Sequence, residues 1–63
     1  MPWTPLYYPV AMNRLPPEVR EKAIRIANAL LAEGYPEGQC IRIAIAQARR
    51  WAGRRHDRRA AVP

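Results

Sequence analysis

Residues 41–52, IRIAIAQARRWA, carry the strongest helical pattern in the chain. At 100° per residue, Cys40, Ile41, Ala44, Ile45, Ala48, Trp51 and Ala52 fall within one arc of about 140°. Gln39, Arg42, Ala46, Arg49 and Arg50 fall on the opposite side. A helix with so wide an apolar face must bury it, so the upstream residues are expected to cover it.

Upstream, a second helix is expected over about 17–33. Pro16 and Pro17 open it, and a proline suits the first helical turn, where its missing N–H would be unbonded anyway. Glu18 and Glu21 lie near the positive end of the helix dipole. Glu18 with Lys22, and Glu21 with Arg25, are favourably oriented i,i+4 pairs. Val19, Ala23, Ile26, Ala27 and Leu30 form its apolar face, widened by Ile24 and Leu31. Gly34 is placed to end this helix in a left-handed conformation, with Tyr35 returning toward Leu30. Pro36 and Glu37 then open the second helix, expected over 36–52, with Gly53 as its end. A link this short favours antiparallel neighbours, a helical hairpin.

Before the hairpin, MPWTPLYYPVAMNRLP holds four prolines in sixteen residues, which disfavours a regular helix. Trp3, Leu6, Tyr7, Tyr8, Val10, Met12 and Leu15 make it too apolar for a disordered leader. The expectation is an extended arm laid over the helices, with one of the adjacent Tyr7 and Tyr8 facing outward. A short strand over 6–13 is the alternative, and Pro9 weakens it because proline cannot donate to a ladder. The fold class is therefore all-α, a hairpin covered by a Pro/Tyr-rich arm. The alternative is a ribbon-helix-helix dimer, in which Leu6, Tyr8, Val10 and Met12 face inward and Tyr7, Ala11 and Asn13 face DNA. Glu37 opposes that alternative, because it would repel a phosphate at the start of the second helix.

With 63 residues the chain makes one small domain, expected over 1–53. Such a chain buries only roughly 60% of its unfolded surface, so oligomerisation stays open as a source of stability, and both monomer and homodimer are expected states. The single cysteine excludes an internal disulfide, and one cysteine with one histidine cannot complete a structural zinc site. No stretch is apolar over the roughly 18 residues of a membrane span, and the N-terminus lacks the pattern of a signal peptide. A cytoplasmic setting without membrane association is the expectation.

The charge is distributed unevenly. Of the net +6, residues 1–48 carry +1 and residues 49–63 carry +5. The arginines responsible are Arg49, Arg50, Arg54, Arg55, Arg58 and Arg59. Arginine stays charged and binds phosphate bidentately, so these six are the candidate polyanion-binding set. Nucleic acid or an acidic protein surface is the expected partner class. Residues 54–63 lack apolar periodicity and read as a disordered basic tail.

No catalytic residues, metal ligands or cofactor are expected. Cys40 lies in the apolar arc, where a free cysteine acts as a small hydrophobe. His56 and Asp57 are adjacent in the tail and lack the fixed geometry that catalysis needs. There is neither a phosphate-cradling glycine loop nor a nucleophile–base pair, so the chain does not read as an enzyme. The core is expected to comprise Val19, Ala23, Ile26, Ala27, Leu30, Ile41, Ala44, Ile45, Ala48 and Trp51, with Trp51 firmly inside. A non-catalytic binding or regulatory module is the leading functional class. A DNA-binding repressor dimer and a protein-interaction module with a merely solubilising tail are the alternatives.

Leu15-Pro16-Pro17, Lys22-Ala23-Ile24, Ile26-Ala27-Asn28-Ala29-Leu30, Glu33-Gly34-Tyr35, Ile43-Ala44, Ala46-Gln47-Ala48 and Trp51-Ala52 resemble the YdaT-like family of small bacterial proteins. Met1-Pro2-Trp3 and Tyr8-Pro9 fit the same pattern. The resemblance covers about residues 1–52. It departs at Gln39-Cys40, where a basic residue and alanine are expected, and the Arg-rich end lies outside it. The alanine-rich second helix ending in Trp-Ala is more loosely similar to ChaB-like proteins, described as cation-transport regulators. The YdaT-like resemblance implies a compact helical module and a link to general stress, and it brings no catalytic residues.

Overall fold

In the computed structural model the described backbone covers residues 2–61 and the described side chains residues 2–54. A 3-10 turn, Val10–Met12, precedes helix α1, Pro17–Ala32, and helix α2, Glu37–Ala61. The two helices pack against each other as a hairpin.

Local chemistry accounts for the ends of α1. Pro16 is the N-cap with Pro17 at the first helical position, and the Pro16 carbonyl accepts from Arg20 N–H at 2.8 Å. At the other end Gly34 has φ +99°, the only positive φ among the described residues. Its N–H donates to the Leu31 carbonyl at 3.0 Å, and Tyr35 N–H donates to the Leu30 carbonyl at 3.2 Å. These two bonds form the Schellman arrangement and satisfy carbonyls that the helix end would otherwise orphan. The Pro36 carbonyl accepts from Cys40 N–H at 3.0 Å, so Pro36 caps α2 from just outside it.

Small side chains line the seam between the helices. Ala23 and Ala27 on α1, and Cys40, Ala44 and Ala48 on α2, are all buried. Four-residue spacing puts each set in one row along its helix, and rows without bulk let two helices approach closely. Cys40 is fully buried and its thiol donates to the Tyr35 carbonyl at 3.4 Å, so it acts as a packed hydrophobe at the hairpin turn. Val19, Ile26, Leu30, Leu31, Ile41 and Ile45 are half-buried around this seam.

The N-terminal arm supplies the rest of the core. Trp3, Met12 and Leu15 are buried and join Ile24, Ala23 and Ala27 in one cluster. Tyr8 packs against that cluster, while Tyr7 faces outward at 73% exposure. Two side chains of α1 hold the arm by its backbone. Asn28, buried on α1, accepts from Trp3 N–H at 3.2 Å and donates from Nδ2 to the Trp3 carbonyl at 2.9 Å. Arg20 donates from Nε to the Met12 carbonyl, and from Nη2 to the Asn13 and Leu15 carbonyls at 3.2 and 2.9 Å. Its guanidinium also lies over the Tyr8 ring, 4.7 Å from the centroid.

The structure corrects several expectations. Residues 6–13 form no strand. Thr4 and Tyr7 instead close a tight turn through paired backbone bonds of 2.8 and 3.0 Å, and the Thr4 hydroxyl accepts from Leu6 and Tyr7 N–H. Pro9 then leads into the 3-10 turn. With Met12 turned inward and the arm's backbone bonded to Arg20 and Asn28, there is no free ladder for a ribbon-helix-helix dimer. Gly53 does not end the second helix either, since α2 continues through it to Ala61. A glycine costs about 1 kcal/mol in a helix interior, and the alanines and arginines around it are strong helix formers. A Cβ at Gly53 would meet open space. The described backbone of α2 runs to Ala61, while the side chains of residues 55–61 and all of residues 62–63 lie outside what is described. The core centre also shifts. Ile24 and Asn28 are buried beneath the arm, whereas Val19, Ile26, Leu30, Ile41 and Ile45 are only half-buried, and Trp51 is half-buried outside the core cluster.

A candidate polyanion site at the open end of the hairpin

The site lies at the end of the hairpin away from the Gly34 turn. Because the helices run in opposite directions, Trp51 reaches the first turns of α1, where Glu18, Glu21, Lys22 and Arg25 surround it. On its other side a cleft is lined by Lys22, Ile26, Gln47, Arg50, Trp51 and Arg54. Gln47, Arg50, Trp51 and Arg54 recur at three- and four-residue spacing, which places them on one side of α2.

Trp51 therefore forms the floor between two different rims. Lys22 Nζ stands over its ring, 5.4 Å from the centroid. Arg50 and Arg54 are exposed and make one rim cationic. Glu18 and Glu21 make the other rim acidic, and Glu21 holds Arg25 in an exposed i,i+4 ion pair at 3.4 Å. A surface pair of this kind contributes only a few tenths of a kcal/mol.

Of the six arginines expected to bind a polyanion, the structure brings Arg50 and Arg54 to one cleft. Arg49 is exposed and does not line it. The side chains of Arg55, Arg58 and Arg59 lie outside the described side chains, although their backbone belongs to α2. His56 and Asp57 fall in the same undescribed set. Lys22 was not among the expected site residues. Its signal was present in the Val19–Lys22–Ile26 spacing of three and four, which puts it on the α2-facing side of α1.

Among the described residues no group of three histidine, cysteine or acidic side chains could hold a metal ion. No described helix is long and apolar enough to cross a membrane. No family model matches the chain, and no solved structure matches it. A protein of Bacillus subtilis (strain 168), described as uncharacterized protein YdaT, is 50% identical over 52 residues, which make up 82% of this chain. The chain spans 35% of the length of that curated relative. Over the 52 aligned residues, this chain belongs to the YdaT-like family.

Proposed function

We propose that this chain is a non-catalytic binding module whose arginine-rich end of α2 engages a polyanion, with nucleic acid the foremost class. The observation that carries this reading is the continuity of α2 through Gly53. Arg50 and Arg54 line one cleft with Lys22, and the helix backbone carries on through the segment holding Arg55, Arg58 and Arg59. Held arginines lose less conformational freedom on meeting phosphates than arginines on a flexible tail. Net charge supports the same assignment, with +5 in residues 49–63 against +1 in the remainder.

The test is fluorescence anisotropy of labelled DNA across a salt series. Engagement of all six arginines gives a slope of log K against log salt of about −5 on a duplex. Removing residues 54–63 takes away four of those arginines and should lower the slope to about −2, with loss of most affinity at physiological salt. Binding with no salt dependence, or binding indifferent to the deletion, would refute the reading.

A second reading rests on the arm. Leu6 at 97% exposure, Val10 at 87% and Tyr7 at 73% leave large apolar groups in water. In this reading the arm docks a protein, a second copy being the simplest case, and the basic end only keeps the chain soluble. Light scattering at micromolar concentrations decides that case. A dimer that Leu6→Ser with Val10→Ser converts to a 7.2 kDa monomer supports it, and a wild-type monomer throughout removes it.

A further inference from the structure

Resting on the polyanion reading, we infer that the end of α2 is a helix that enters the major groove of duplex DNA, so that the preferred ligand is B-form DNA rather than duplex RNA or a single strand. α2 has 25 residues and α1 has 16. The two helices meet at the Gly34 turn, with only residues 33–36 between them, so the excess length lies at the open end of the hairpin. At about 1.5 Å per residue, the last nine residues of α2 carry its backbone about 13 Å past the start of α1. Trp51, beside the first turns of α1, lies just before that stretch. The arm does not extend α1 in this direction, since it runs back from Met12 at Arg20 to Trp3 at Asn28.

The projecting stretch reads GRRHDRRAA over residues 53–61. At 100° per residue, positions 54, 55, 58 and 59 share one arc of about 140°. Positions 56 and 57, the second of them acidic, fall on the opposite side of the helix. The other positions are glycine and alanine, which add little bulk. Arg50 lies one turn back from Arg54, and both line the cleft with Lys22, so the basic arc continues onto the hairpin. A narrow basic helix standing clear of its neighbour matches the major groove of B-form DNA, which is about 12 Å wide, admits an α-helix and has phosphates along both walls. The major groove of duplex RNA is deep and too narrow for such entry, and a single strand has no groove. Both duplexes carry dense phosphate, so charge alone would not separate them.

The experiment titrates the full chain into three labelled ligands, a DNA duplex of about 16 base pairs, the RNA duplex of the same sequence and one DNA strand alone, and reads anisotropy. The DNA duplex is expected to bind about tenfold more tightly than either of the others. Two variants at Gly53 then change the helix and keep every arginine. Gly53→Ala places its Cβ in open space and favours helix at the base of a frayable end, so it should tighten duplex DNA binding by up to about fivefold. Gly53→Pro breaks the helix there and should weaken that binding at least about tenfold, with the hairpin checked by far-UV circular dichroism. Salt-sensitive binding that is equal for the DNA and RNA duplexes, or wild-type affinity in a folded Gly53→Pro, overturns groove entry and leaves the polyanion reading standing. If Gly53→Pro does not fold, Gly53→Ala decides, and an affinity that it leaves unchanged or lowers overturns groove entry. Absence of salt-sensitive binding to all three ligands overturns both readings.

Discussion

Replacing Asn28 with alanine should lower the thermal midpoint of the chain by roughly 15 °C, read by circular dichroism at 222 nm. The amide of Asn28 forms two hydrogen bonds with one backbone unit, accepting from Trp3 N–H and donating to Trp3 C=O. Trp3 and Asn28 are both 7% exposed, so water reaches neither group readily. Alanine leaves a buried donor and a buried acceptor unsatisfied, each costing about 1–3 kcal/mol. A total near 3 kcal/mol is a large part of the stability of a domain this small. The effect should include loss of the arm's order, because this pair ties residue 3 to residue 28 at the far end of the arm. A midpoint within about 3 °C of wild type would show that the arm is not held there.

Met12→Ala should destabilise the chain by about 3 kcal/mol in urea unfolding, whereas Met12→Leu should change it by less than about 1.5 kcal/mol. Met12 is fully buried, and it sits among Trp3, Leu15 and Ile24 rather than in the seam between the helices. Truncation removes its packing and leaves a cavity. Surrounding groups can close that cavity only partly, because Arg20 holds the Met12, Asn13 and Leu15 carbonyls in place. Leucine keeps the volume. This pair of variants also separates two architectures. If the arm were a dimer ribbon, unfolding of Met12→Ala would depend on protein concentration. In the arm-covered hairpin it does not. A Met12→Ala change below about 0.5 kcal/mol would mean that the arm adds no core.

Both variants act on the arm, and that follows from how the helices are built. The seam of Ala23, Ala27, Cys40, Ala44 and Ala48 brings the helices close but buries little apolar area per residue. The bulky groups lie to either side of it. The arm covers one side, with Trp3, Met12 and Leu15 over Ile24. The other side keeps Ile26 half-buried beside Lys22 and Trp51 and ends in the basic cleft. The division between a sealed face and an open one is thus a division between stability and the candidate binding surface.

Of the residues lining the candidate cleft, Arg50 and Arg54 were named from the residues alone. The cluster of arginines from Arg49 onward and the placement of Trp51 on the α2 arc are linear features. The cleft was not legible. Lys22 joins it from 29 positions away, and Arg49 is left out because it points from another side of α2. Trp51 reads as core on a helical wheel because the wheel shows which side of α2 faces α1. It does not show where α1 begins. Trp51 lies beside the first turns of α1 and is half-buried there.

The sequence by itself determined the two helices, the start of α1 at Pro17, its end at Gly34 and the charge imbalance toward residue 63. Each depends on interactions within a turn or two: a missing proline N–H, a left-handed glycine, a periodic apolar arc. Only the tertiary structure decided that α1 buries Ile24 and Asn28 as well as its seam alanines, that Arg20 and Asn28 hold the arm by its backbone, and that Trp51 is half-buried. Burial is set by what lies opposite a residue, and here the opposing groups are as far apart in sequence as Trp3 and Asn28. The continuation of α2 past Gly53 has a different reason. A glycine makes a left-handed helix end available without requiring one, and here only Gly34 takes it.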